Sequence, residues 1–113
     1  MKLAVVGSRT FNDYTLLKNY IVENYQDIFT IVSGGAQGAD KLAERYAKEY
    51  DLNIEVHIPE WSLYGKKAGA IRNKDIVDNC NQVLAFWDGI SKGTEITIKM
   101  AEKANKPVKI VYF

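Results

Sequence analysis

The sequence predicts an α/β domain of the doubly wound kind, with one parallel five-stranded sheet and helices on both faces. Three observations carry this. Five short apolar runs rich in β-branched and aromatic residues recur along the chain. The segments between them repeat apolar residues at helical spacings, and the links are only a few residues long. Strand and helix alternating through short links imply parallel strands joined by right-handed crossovers.

Taken in order, Leu3 to Val6 is the first strand, and its nearly continuous apolar character, shared by the second and fourth runs, fits strands covered on both faces. Tyr14, Leu17, Ile21 and Tyr25 then recur at spacings of three and four, which gives a first helix with one apolar stripe. Ile28 to Val32 is the second strand, followed by a helix carrying Leu42, Tyr46 and Tyr50 with Ala43 and Ala47 alongside. Ile54 to Ile58 is the third strand. A third helix is expected from Lys67 to Asn79, after Tyr64-Gly65, with Ala68, Ile71, Ile76 and Cys80 on its buried side. Gly69 costs that helix about 1 kcal/mol relative to alanine. Val83 to Trp87 is the fourth strand, with Trp87 expected in the core. In the fourth helix Thr94 is the expected cap, Ile96, Met100 and Ala104 follow at spacing four, and Asn105 with Pro107 closes it. Val108 to Phe113 completes the sheet.

Composition narrows the function classes. A chain of 113 residues, 47% hydrophobic and 26% charged with two prolines, reads as a single domain over 1–113 with no linker or repeat. Roughly two thirds of the unfolded chain's surface can be buried at this length, so a core suffices without disulfides or a structural metal. Fifteen basic and fourteen acidic residues give a net charge of +1 with no block of like charge. That disfavours a nucleic-acid partner and an anionic membrane. Cys80 has no disulfide mate, and a lone His57 leaves no zinc or iron ligand set, so no metal is expected. The first residues are too short an apolar run for a signal peptide or membrane span, and the expected location is cytoplasmic. Two Trp, seven Tyr and four Phe, with many alanine-rich helix positions, are hard to hide in so small a domain, which predicts a homo-oligomer joined through helix faces.

The chemistry is expected beyond the carboxyl ends of the strands, where open α/β sheets bind ligands. Six of the eight glycines lie there, in Gly7-Ser8-Arg9-Thr10, Gly34-Gly35-Ala36-Gln37-Gly38-Ala39-Asp40 and Asp88-Gly89-Ile90-Ser91-Lys92-Gly93-Thr94. Glycine lets the backbone approach a ligand, and the following helix offers free N–H groups to an anion such as phosphate. On that logic Gly38→Val should block a ligand at little cost to the fold, provided the φ of Gly38 is negative. Neither G-x-G-x-x-G nor G-x-x-x-x-G-K-S/T occurs, which argues against a dehydrogenase or an NTPase. Arg9 is either a phosphate clamp or a surface ion pair. Arg72 and Asn73 meet a ligand anion, or Arg72 pairs with Asp75 and Asp78. For Asp40 the role favoured is stabilising a helix dipole, with a ribose hydroxyl as the alternative. Asp88 binds sugar hydroxyls, acts as a base, or simply starts a turn. Trp61 and Tyr64 either stack on a nucleobase or pack over a sheet edge, the second being favoured for Trp61. His57 reads as structural and Cys80 as a small buried hydrophobe.

Together these residues carry a resemblance. Gly7-Ser8-Arg9-Thr10-Phe11, Ser33 to Asp40, Pro59-Glu60-Trp61 with Tyr64-Gly65-Lys66 and Ala68-Gly69, Arg72-Asn73, and Ala85 to Gly89 with Ser91 and Gly93-Thr94 resemble the SLOG superfamily, in its YspA/YpsA-related branch. The likeness covers nearly the whole chain. It implies a Rossmann-like fold and nucleotide-related ligands: some members are phosphoribohydrolases, some bind single-stranded DNA, and some are sensor domains in bacterial and phage conflict systems. It also implies that Gly7, Ser8, Arg9, Gly34, Gly35, Gly38, Asp40, Gly89, Ser91, Gly93 and Thr94 surround the ligand. The phosphoribohydrolase branch resembles P-G-G-x-G-T-x-x-E, and here Thr97 stands where the glutamate is expected. The expectation is therefore a module that binds a nucleotide or nucleotide-derived small molecule, for sensing or sequestration, with no further cofactor. The alternatives are a hydrolase of nucleotide-derived substrates using Asp88 or Glu95 as acid or base, and a single-stranded nucleic-acid binder with Arg9, Lys66, Lys67 and Arg72 in one groove.

Overall fold

A computed structural model describes residues 1–113. The elements are β1 (Lys2–Gly7), α1 (Tyr14–Asn24), β2 (Thr30–Ser33), α2 (Ala39–Glu49), β3 (Asn53–Val56), α3 (Trp61–Tyr64), a 3-10 turn (Gly65–Lys67), α4 (Ala68–Asp78), β4 (Gln82–Trp87), α5 (Lys92–Lys103) and β5 (Val108–Tyr112). Every strand pair is parallel, and the sheet order is β3-β2-β1-β4-β5. The chain therefore winds outward from β1 to β3, then crosses back to lay β4 on the other side of β1. The order of winding reverses between β1 and β4, whose register runs from Leu3↔Gln82 to Gly7↔Phe86.

The apolar runs read as doubly covered strands are covered on both faces. In β1, Leu3 and Val5 join a core with Leu17 and Ile21 of α1 and Ala43 and Tyr46 of α2. Ala4 and Val6 point the other way, to Ile76 and Val77 of α4 and Ile98 and Ala101 of α5. Each fully buried Val, Leu or Ile contributes about 1.5–3 kcal/mol. Asp13 caps α1 by accepting the N–H of Leu16 at 3.0 Å, and Asn105, at φ 59, ends the chain's course out of α5. β3 is an edge strand, which is why Ile54 and Val56 are exposed.

Some elements differ from expectation. The second strand starts at Thr30 because Asp27, at φ 58, turns the chain just before it. The third ends at Val56. Ahead of α4 stands an unanticipated turn of helix, α3, in which no residue is buried, so it has no apolar signature. Helix α5 starts at Lys92 with Ser91, not Thr94, as its cap residue. Its buried face is Thr94, Thr97, Ile98 and Ala101, while Ile96 is exposed and Ala104 lies past the end. Thr97 fits in the core because its hydroxyl donates to the Gly93 carbonyl at 3.1 Å. Trp87 is half-buried, with its indole N–H donating to the Ser91 carbonyl at 3.0 Å and its ring against Tyr112.

Candidate ligand-binding site

A cleft of about 320 Å³ opens where β1 and β4 end, at the point where the winding reverses. It is lined by Val6, Gly7, Ser8, Arg9 and Thr10 from β1 and the loop after it, by Ala36 of the loop before α2 and by Asp40 in its first turn. Arg72, Asn73 and Ile76 of α4 and Ser91, Gly93, Thr94 and Thr97 at the start of α5 complete it. Only three of these fourteen residues are hydrophobic, so the space suits a polar ligand.

The floor is built by the two strands' exits. Ser8, buried, donates its N–H to the Phe86 carbonyl at 2.9 Å, and its hydroxyl accepts the N–H of Asp88 at 3.2 Å. The Ser8 and Ser91 hydroxyls lie 3.0 Å apart. Asp88 itself is tied down: its Oδ1 accepts the N–H groups of Ile90 and Ser91 at 2.9 and 2.8 Å, and Oδ2 accepts the Ser91 hydroxyl. Those backbone donors hold its carboxyl below the ordinary aspartate range. The turn reading of Asp88 is the one the geometry favours, and Asp88 does not line the cleft.

One wall carries the charge. Asp40 is only 6% exposed in the first turn of α2, and its Oδ2 accepts the N–H of Ala36 at 3.1 Å. Burial pushes its carboxyl up to about 6, against the opposing pull of that N–H and of Arg72. Arg72 reaches across from α4 to donate Nη1–H to the Gly34 carbonyl at 2.7 Å and Nε–H to Asn73 Oδ1 at 2.8 Å. It pairs with neither Asp75 nor Asp78; Lys74 takes Asp78 instead. Burial lowers the Arg72 guanidinium, and nearby Arg9 adds repulsion. Arg9 is exposed and takes part in none of the chain's salt bridges, so the ion-pair reading of it falls. Helix α5 begins without a side-chain cap, which leaves its first-turn N–H groups, at Gly93 and Thr94, at the cleft.

Of the residues singled out in the sequence, the cleft thus gathers Gly7, Ser8, Arg9, Asp40, Arg72, Asn73, Ser91, Gly93 and Thr94. Gly34, Gly35, Gly38, Asp88 and Gly89 lie outside it. Gly38 has φ +81, and a Cβ there would stand 2.5 Å from the Ser8 carbonyl oxygen and 2.7 Å from that of Arg9. The negative φ on which the tolerance of Gly38→Val depended is therefore absent, and the variant is expected to strain the fold. Glu95 pairs with Lys99 at 3.3 Å outside the cleft, while Thr97 lines it. Thr10 and Ala36, inside two of the strand-end motifs, join them without having been singled out, and Thr97 stands where the resemblance expects a glutamate.

Trp61 and Tyr64 are 58% and 45% exposed, so Trp61 does not pack over a sheet edge as favoured. His57 braces the sheet edge through Glu55 at 2.7 Å, which also holds Lys2 at 2.6 Å. Cys80 is buried, its thiol pushed up by desolvation. No three His, Cys, Asp or Glu side chains stand together as a metal site, and no helix is long and apolar enough to cross a membrane.

The chain's likeness to known proteins agrees with this fold. Residues 1–64 match the YspA, cpYpsA-related SLOG family (YAcAr). The Gene 61 protein of Mycobacterium phage D29 is 33% identical over 116 residues, covering 95% of this chain and 93% of the phage protein. Among solved structures, DNA processing protein A (DprA) from Streptococcus pneumoniae superposes with a TM-score of 0.78 at 22% identity, over 96% of this chain. DNA processing protein A from Helicobacter pylori, described for its single-stranded DNA binding mode, gives 0.67 at 22% identity over 97% of this chain. The chain spans 49% and 64% of those two proteins, so the likeness is one of fold.

Proposed function

The chain belongs to the YspA, cpYpsA-related SLOG family, and we propose that its strand-end cleft binds a nucleotide or nucleotide-derived small molecule, for sensing or sequestration. The carrying observation is convergence: two guanidiniums, Arg9 and Arg72, and the uncapped start of α5 line one polar cleft that holds a single carboxylate, Asp40. Guanidiniums and helix-start N–H groups are the donors that phosphate takes. Asp40 supplies an acceptor for a sugar hydroxyl beside them.

Binding without turnover is supported by the placement of the carboxylates. Base release from ribose builds positive charge that a nearby carboxylate stabilises. Asp88 spends its oxygens on its own turn, and Glu95 lies outside the cleft. Ligand-free protein titrated with AMP, ADP and ADP-ribose should gain melting temperature, since a ligand at a hundred times its Kd stabilises by about 2.7 kcal/mol. Arg9→Ala should remove most of that gain. No shift across the panel refutes the binding reading, and free base released from AMP at enzymatic rates refutes the absence of turnover.

A second reading, single-stranded DNA, is favoured by the shared fold with the Helicobacter pylori protein. Lys66 and Lys67 lead directly into the helix that bears Arg72, as a groove would need. An oligonucleotide mobility shift that weakens with rising salt decides it. We also propose self-association, not through the helix faces expected but on the exposed Phe29, Ile54, Val56 and Ile58 at the β3 side of the sheet. Light scattering that returns only the 12.8 kDa monomer refutes that.

A further inference from the structure

Trp61 is 58% exposed, and the binding proposal makes no use of it. It opens α3, a single turn with no buried residue, so no packing requirement of the fold explains an indole there. The ring nevertheless has a definite seat. A Cβ built on Gly69 would stand 3.5 Å from Trp61 Cη2, so the indole edge rests over the first turn of α4. Residues three and four apart share a helix face, which aligns Gly69 with Arg72 and Asn73, and these with Ile76. Arg72, Asn73 and Ile76 all line the cleft. The stripe thus climbs from the buried Ile76 to the rim at Gly69, and Trp61 lies over its upper end, about one helical turn from Arg72.

A nucleotide carries a flat base beside its anionic sugar phosphate, and here a flat ring lies over the helix whose next turn carries Arg72 into the cleft. We propose that Trp61 is the stacking platform for a nucleobase whose sugar phosphate occupies the cleft. The inference rests on the nucleotide-binding reading above and names what makes that site selective: a planar heteroaromatic base, not phosphate or sugar alone. Any base presents a π face, so the same platform serves a free nucleotide or an unpaired base in single-stranded DNA. Gly69 belongs to the device. Alanine there makes an ordinary contact with the indole, whereas a branched side chain pushes it off the rim.

Calorimetry on the wild-type protein, Trp61→Ala, Trp61→Phe and Gly69→Val, each titrated with AMP, ribose 5-phosphate and an oligothymidylate, tests it. Trp61→Ala should weaken AMP by about 5- to 150-fold, leave ribose 5-phosphate within about twofold, and melt like the wild type. Trp61→Phe should restore most of the loss, and Gly69→Val should reproduce it with Trp61 still present. The same loss on an oligothymidylate that binds more tightly than AMP supports the platform and assigns the base to single-stranded DNA. Unchanged AMP affinity in Trp61→Ala, or equal losses for AMP and ribose 5-phosphate, overturns the platform and leaves the cleft reading intact. A wild-type protein that binds none of the three overturns both.

Discussion

The loop after β2 and the loop after β4 look alike in sequence, each rich in glycine and each opening a helix, yet their glycines do different work. At Gly38 the chain is crowded: φ is +81 and the carbonyls of Ser8 and Arg9 stand where a side chain would begin. Gly34 is pinched likewise between Arg72 Nη1 and Asp40 Oδ2, each 2.8 Å from a Cβ built there. At Gly93 nothing lies within 4 Å of such an atom, and the residue lines the cleft. The first loop packs against the β1 exit and the α4 arginine, while the second leaves its backbone open at the cleft. A glycine after a strand thus marks either close approach within the protein or backbone left open at the surface.

The largest expected effect comes from attacking the crowded loop. Gly38→Ala puts an L side chain into a backbone region that only glycine occupies easily and drives its Cβ into two carbonyls. Strain and overlap together should cost about 4 kcal/mol or more, read as a lower denaturation midpoint in urea. A cost below about 1 kcal/mol would show that Ser8 and Arg9 move aside readily, and the contrast between the loops would disappear.

A smaller effect comes from the carboxyl that the crowded loop encloses. The Asp40 pKa is raised from 3.8 to about 6, chiefly by burial. A raised folded-state value means that the native protein holds this proton more tightly than the unfolded chain. The stability it contributes is therefore complete below pH 3.8 and is lost as the pH climbs through 6. At about 1.4 kcal/mol per pH unit the loss is at most about 3 kcal/mol. Urea midpoints across this range should decline in the wild type and flatten in Asp40→Asn. Parallel declines in the two proteins would place the titration elsewhere.

How much of this was readable in the sequence follows from where the partners sit. The parallel sheet was, because β1, β2 and β4 are covered on both faces and announce it as nearly continuous apolar runs, whereas the order of its strands was not. The edge of the cleft at Ser8, Arg9, Ser91 and Thr94 was, because strand ends concentrate ligands in this architecture. The face of α5 was not: Thr94 and Thr97 look polar, and only the internal bond from Thr97 to Gly93 makes it fit to be buried. Nor was the role of Gly34, whose neighbour Arg72 arrives from a helix 38 residues later. Local pattern reveals elements, whereas crowding between distant segments appears only once they are folded.

The smallest effect is the sharpest test of the contrast, because its two readouts should move in opposite directions. Gly93 sits in the first turn of α5 with open space around its α-carbon. Alanine there narrows the unfolded chain's freedom and suits a helix better, so Gly93→Ala should raise stability by about 0.5–1 kcal/mol. Gly93 also lines the cleft, so the same methyl group takes up space near the N–H groups that open the helix. A phosphate drawn to those groups is held off by the methyl, and affinity should fall severalfold even as the protein melts higher. At Gly38 the two readouts should fall together, since the fold is lost first. Gly93→Ala that gains stability and binds AMP as the wild type does would mean that the open backbone of the second loop is not where the phosphate lies. The anion would then belong to Arg9 and Arg72 alone.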